Sequence, residues 1–165
     1  MPEKNITKVG VGVMIWKDGK VLFGKRESEH GHGEYSFPGG HIEMLESFED
    51  AVRRETIEET GILIDDISFL HVANIDYYNP KHYINIGFVA KWKGGEPRVM
   101  EPNKIVDWGW YTLEDLPQPL FLQTRLMINS YQKNINFYDQ KELQNKKKKK
   151  MFLGRWRRSV NARIS

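Results

Sequence analysis

The most constraining feature of this 165-residue chain is a helix-forming segment whose apolar stripe turns acidic halfway along. Ser47 is a good N-cap, Glu49 and Asp50 suit the positive end of a helix dipole, and Gly61 after Thr60 is a C-terminal stop. At 100° per residue with Glu55 as origin, Phe48, Ala51 and Val52 fall at about +20°, −40° and +60°. Glu58 and Glu59 fall at about −60° and +40°, within the same sector. Anions facing a core are costly unless neutralised. A hard divalent cation resolves that cost, because Mg²⁺ takes oxygen ligands and also holds substrate phosphates. The competing reading is a charged surface helix in which Arg53 and Arg54 pair with the glutamates.

The rest of the chain limits what can surround this helix. One domain with a hydrophobic core is the expectation at this length, with 39% apolar residues and a mean hydropathy of −0.61. No run approaches a membrane span, and Met1 to Lys8 lacks the apolar centre of a signal peptide, so a cytoplasmic location is expected. With no cysteine, thiolate metal sites and cysteine nucleophiles are excluded. The formal charge of +3 conceals two parts: residues 141–165 carry a net +9 and residues 1–140 a net −6. The body therefore does not read as a nucleic-acid-binding surface.

Lys8 to Trp16 and Lys20 to Arg26, joined by Asp18-Gly19, read as a hairpin. His30 to Glu34 reads as a loop, Tyr35 to Phe37 as a short strand, and Pro38-Gly39-Gly40 as a break in regular structure. Ile62 to Ala73, Tyr83 to Trp92 and Val106 to Thr112 read as strands, and Phe121 to Tyr131 as a second amphipathic helix. Strands with two separated helices predict a compact α/β or α+β sandwich. Gly39-Gly40 lets backbone groups approach a phosphate or metal closely. Gly10 and Gly12 either open space beside the first strand or mark a bulge.

Gly40, Glu46, Arg54, Glu55, Glu58, Glu59, Gly61 and Ile62 match, in register, the signature box of the Nudix hydrolases, which this chain resembles. Thr56 departs from the aliphatic residue usual there, and only a packing adjustment is expected. The resemblance implies an α/β/α sandwich with a mixed sheet over residues 1–140. It also implies Mg²⁺-dependent attack of water on a phosphoanhydride, with Mn²⁺ as an alternative ion. Carried onto this sequence, Glu55 and Glu59 are direct metal ligands, Glu58 a further ligand or base, and Gly40 a carbonyl ligand. Arg54 orients glutamates, and Glu101 is a candidate completing ligand.

From Val9 to Phe121 the chain is most similar to the MutT-like nucleotide-pool branch, through Gly24-Lys25-Arg26, Phe37-Pro38-Gly39-Gly40-His41, Glu101-Pro102-Asn103-Lys104 and Trp108-Gly109-Trp110. That likeness implies conversion of nucleoside triphosphates, including oxidised or modified (d)GTP, to monophosphate and pyrophosphate by a homodimer. The candidate substrate-binding residues are then Lys25, Arg26, Phe37, Gly39, His41, Asn85, Phe121 and Leu122. The alternatives are an ADP-ribose or other nucleoside-diphosphate hydrolase, and a non-catalytic nucleotide sensor. In the basic tail, Phe152, Trp156, Val160 and Ile164 recur every four residues. The tail reads either as an interaction segment for RNA, anionic membrane or a protein partner, or as a flexible solvated extension.

Overall fold

The computed structural model describes residues 6–139, so the expectations for the basic tail lie outside the described residues. The hairpin forms as β1 (Lys8–Lys17) and β2 (Lys20–Arg26). Asp18 and Gly19 both take positive φ, 48° and 75°, the pairing that a two-residue turn matched to strand twist requires. Short strands β3 (Tyr35–Ser36) and β4 (Gly39–His41) follow, then α1 (Phe48–Thr60), β5 (Leu63–Ile75), β6 (Tyr83–Gly94), β7 (Ile105–Tyr111), α2 (Leu122–Lys133) and β8 (Phe137–Tyr138).

The eight strands make one mixed sheet, ordered β3-β2-β1-β6-β5-β8, with β4 paired to β1 and β7 to β2. This is the mixed-sheet, two-helix architecture expected, with β8 as an addition too short to be signalled by periodicity. β1 is central. It runs parallel to β6 from Lys8 opposite Tyr83 to Trp16 opposite Lys91 without a register shift, so Gly10 and Gly12 mark no bulge. Its other side pairs antiparallel with β4 and β2.

A strand buried on both faces should be apolar, and β1 is so from Val9 to Trp16. Val11, Val13 and Ile15 point into one core with Ala51 and Val52 of α1, Leu22 and Ile62. Met14 points the other way, into a second core with Val21, Phe23, Phe37 and with Met127 and Ile128 of α2. One helix therefore covers each face of the sheet, and the alternation along β1 assigns each residue to its layer.

The caps of α1 are as the sequence indicates. Ser47 Oγ accepts from the Asp50 amide at 3.1 Å, and Gly61, at φ 72°, donates its N–H to the Ile57 carbonyl. Two local expectations change. Pro38-Gly39-Gly40 does not end regular structure, because Gly39 to His41 pair with Gly12 to Gly10. Phe48 is 51% exposed, since the packed face of α1 begins only at Ala51.

Replacing Ile15, which is fully buried between sheet and α1, is expected to be far more damaging than replacing exposed Leu45. In urea unfolding, Ile15→Ala should lower stability by about 2–5 kcal/mol and Leu45→Ala by less than about 0.5 kcal/mol.

Candidate active site

The acidic end of α1 is buried as the helical angles require: Glu55 and Glu59 are each only 6% exposed. Both carboxylates lie against β4. A Cβ on Gly40 would collide with the Glu55 carboxylate, so only glycine allows that group to sit on the backbone. The Gly39 amide donates to Glu59 Oε2 at 3.0 Å. Burial pushes the Glu59 carboxyl up to about 8, against the Gly39 hydrogen bond, and Glu55 adds to the shift. Burial also raises Glu55, opposed by the neighbouring Arg54. Glu58 sits at the rim of the buried face with half of its side chain exposed.

Arg54 ties this cluster together. Its Nε and Nη2 donate to both carboxylate oxygens of Glu46 at 2.7 and 2.8 Å, a bidentate pair. Nη1 donates to Glu55 at 2.9 Å and to Glu58 at 3.0 Å, and Nη2 also reaches the His41 carbonyl at 3.0 Å. The guanidinium pKa is raised by its bond to Glu46, and in return the Glu46 carboxyl falls to about 2, chiefly through Arg54. The arginine pairing that a surface helix would show is thus present together with burial. Arg53 binds Glu49 and the Ile64 carbonyl, away from the buried acids.

Glu59 opens onto a cavity of about 350 Å³ between the β1–β6 sheet surface and the start of α2. Gly10 and Gly12 leave room on its sheet side. Phe37, Phe121 and Tyr83 supply ring surface, and His41, Asn85 and Lys104 supply polar groups. Arg26 also lines it, with its guanidinium 4.2 Å over the Phe121 ring and bonded to the His30 carbonyl and Ser28 Oγ. Three lining residues carry buried side-chain atoms with no hydrogen-bond partner among the described residues: His30 Nε2, Ser36 Oγ and Gln123 Oε1. An unsatisfied buried polar atom costs about 1–3 kcal/mol, so these three are the lining atoms with bonds left to give to water or a polar ligand.

The donor set suits a hard divalent ion. Two buried carboxylates and the Gly40 backbone are all-oxygen donors, and a cation would restore the charge that burial opposes at Glu59. Among the described residues no three acidic or histidine side chains are already gathered for a metal, so water and substrate oxygens would complete the shell. Glu101 lies close enough to add to the Glu59 shift, and its carboxylate is bonded to Lys104 Nζ 2.9 Å away.

The structure brings Arg26, Phe37, Gly39, His41, Asn85 and Phe121 into one cavity wall. It does not bring Lys25 or Leu122 there. Lys25 is exposed between Tyr35 and Asp107, because strand alternation turns it away from Arg26. Leu122 packs against the cluster of Ala73, Ile75, Leu126 and Tyr138. Sequence reasoning missed Tyr83, which shares a face with Asn85 two residues on and was within reach of strand alternation. It also missed Lys104, Gln123 and Thr124, which enter the wall through loop and helix placements that periodicity does not specify.

A family model described as NUDIX domain matches residues 6–131. An ADP-ribose pyrophosphatase from Methanocaldococcus jannaschii is 35% identical over 114 residues, covering 68% of this chain and 66% of that protein. An NAD-capped RNA hydrolase NudC from Chromobacterium violaceum is 28% identical over 118 residues, covering 70% of this chain and 43% of that protein. The chain therefore spans two thirds or less of these curated relatives' length. Among solved structures, a MutT NUDIX hydrolase from Burkholderia pseudomallei aligns with a TM-score of 0.72 at 39% identity, covering 76% of this chain and 98% of that one. The NUDIX domain of Shewanella oneidensis NrtR, complexed with ADP ribose, aligns with a TM-score of 0.67 at 21% identity, covering 78% and 88% of the two chains, a likeness of fold.

The carboxyl shifts set a pH dependence for the metal-free protein. Glu59 rises from an ordinary 4.5 to about 8, so its contribution to stability is complete below about 4.5 and is lost as pH rises through about 8. Glu46 falls from 4.5 to about 2, so its contribution is present above 4.5 and is lost as pH falls through about 2. In EDTA the wild-type melting temperature should fall between pH 5 and 8, and Glu59→Gln should flatten that limb while abolishing stabilisation by Mg²⁺ at pH 8. An unchanged alkaline limb in Glu59→Gln would assign the shift elsewhere.

Proposed function

The chain belongs to the Nudix family, and from that premise we propose that it is a divalent-metal-dependent hydrolase cleaving a nucleoside triphosphate to the monophosphate and pyrophosphate. The observation that carries this reading is the placement of buried Glu55 and Glu59 against the Gly39-Gly40 backbone, with Glu59 at the mouth of a ring-lined cavity. The acids would hold Mg²⁺, or Mn²⁺ in its place, and the cavity would take the base. When bound, the metal polarises phosphoryl oxygens, lowers the pKa of attacking water and neutralises the leaving group. Water adds to phosphorus, the bridging P–O bond between the α and β phosphates breaks, and pyrophosphate leaves. Glu58, half exposed and bonded to Arg54, is the base this reading assigns to that water. Lys104, a cavity cation bonded to Glu101, is the group this reading sets against the triphosphate.

Oxidised or otherwise modified (d)GTP is the substrate class this reading favours, on the likeness to MutT proteins. The second reading is ADP-ribose hydrolysis. It is favoured by the ADP-ribose pyrophosphatase relative and by the rings of Tyr78 and Tyr83 beside His30, which extend the aromatic surface beyond Phe121. A pure sensor is disfavoured, because every box glutamate and Arg54 are present and hydrogen-bonded or buried.

Incubating a nucleotide panel with Mg²⁺ and resolving the products separates these readings. The triphosphate reading predicts monophosphate with pyrophosphate, whereas ADP-ribose cleavage gives AMP with ribose phosphate; orthophosphate as the first product contradicts both. Glu58→Gln should lower turnover by roughly 10²–10⁴-fold. Arg54→Lys, which cannot reproduce the bidentate grip on Glu46, should lower it by about 10–100-fold. Wild-type turnover in both variants would remove the assigned roles.

A further inference from the structure

Gly24 and Trp108, each at the head of a motif singled out in the sequence, take no part in the chemistry above. The structure sets them against each other, Gly24 of β2 opposite Trp108 of β7 in the antiparallel register. A Cβ on Gly24 would lie 2.6 Å from Cζ3 of the Trp108 ring and 2.8 Å from Cε3, so the missing side chain makes the space in which the indole lies. The ring packs on the core shared by α1 and the sheet, and its Nε1 donates to the Glu59 carbonyl at 3.2 Å.

That carbonyl belongs to the weakest part of the helix. The last four C=O groups of a helix have no donor within it, and α1 ends at Thr60, one residue past Glu59. Gly61 answers the carbonyl of Ile57. Those of Glu59 and Thr60 are answered from outside the helix, by the connection between β6 and β7 and by β7 itself. The Arg98 amide donates to Thr60 at 2.9 Å and the Met100 amide to Glu59 at 3.4 Å, and Trp108 adds the indole bond to Glu59. The carboxylate of the same glutamate accepts from the Gly39 amide at 3.0 Å. Glu59 is thus held at both ends, its side chain on β4 and its main chain on β7. Helix ends fray, and a ligand in a fraying turn binds more weakly in proportion to the time it spends out of place.

We propose that Trp108, seated by Gly24, is a positioning residue for the metal site: its indole N–H pins the last turn of α1 to β7 and so keeps the Glu59 carboxylate where a cation meets it. The inference rests on the reading of Glu59 as a metal ligand. Trp110, two residues along β7, packs on the same core, but its buried Nε1 has no hydrogen-bond partner among the described residues. The two indoles differ in what their N–H groups hold, which makes Trp110 the control.

Two measurements on the full chain compare Trp108→Phe, which keeps a ring and loses the N–H, with Trp110→Phe, which makes the same change where no such bond is lost. In EDTA at pH 7, hydrogen exchange of the Gly39 amide reports the Glu59 carboxylate without any metal. It should quicken by about fivefold in Trp108→Phe and stay within about twofold of wild type in Trp110→Phe. Calorimetric titration of Mg²⁺, well below the melting temperatures, should give a dissociation constant raised by about fivefold in Trp108→Phe and by less than about twofold in Trp110→Phe. Gly24→Ala, which changes a residue outside the cavity wall and pushes the indole aside, should weaken Mg²⁺ in the same direction. Unchanged exchange or unchanged Mg²⁺ affinity in Trp108→Phe would overturn the proposal, as would an equal change in both phenylalanine variants, the mark of lost packing alone. Absence of Mg²⁺ binding in the wild type would instead defeat the metal reading, and the Gly39 comparison would still decide whether the indole pins the turn.

Discussion

Two carboxylates, Glu55 and Glu59, are buried where α1 meets the sheet, and the surrounding architecture is organised to tolerate them. An isolated buried carboxylate neutralises itself unless a partner holds its charge. Glu59 follows that rule, with its pKa pushed up to about 8 and, among the described residues, the Gly39 amide as its donor. Glu55 is answered by Arg54, which spends its remaining donors on Glu46, Glu58 and the His41 carbonyl. One guanidinium thus fixes the loop before α1, the helix face and strand β4 to one another. The least compensated charge in that frame is the one at the cavity mouth.

The cavity follows from missing side chains. Gly10 and Gly12 clear one strip of β1, and Gly87 on the neighbouring strand gives His71 its place. A Cβ on Gly10 would meet the Gly40 carbonyl at 2.9 Å, so the strip that makes room for a ring also lets β4 lie close against β1. The acid cluster and the ring pocket share the same short strand. Arg26 contributes by stacking on Phe121 and bonding the His30 carbonyl, which makes it a part of the wall.

The helix was legible in the sequence because its information is local: capping residues, a 100° rotation per residue and acids at fixed spacing. The same rotation correctly buried Glu55 and Glu59, yet it also placed Phe48 inward, since angles carry no account of where along its length a helix meets its neighbour. In the sequence β4 reads as a break because Pro38-Gly39-Gly40 has weak strand propensity, and its pairing with β1 is decided by contact between distant segments. Lys25 adjoins Arg26 in sequence, but alternation sends adjacent strand residues to opposite faces. His71 of β5 and Ser130 of α2 meet across 59 positions, a pairing that the packing of α2 on the sheet decides.

The account depends on Glu59 being an acid that a cation ionises. Titrating Mg²⁺ into the metal-free protein at pH 7, calorimetrically and in buffers of different ionisation enthalpy, counts the protons released on binding. With the Glu59 carboxyl at about 8, most of one proton should leave for each site filled. Binding with no proton release at pH 7 would contradict the account, because the cation would then be held by groups that were already charged.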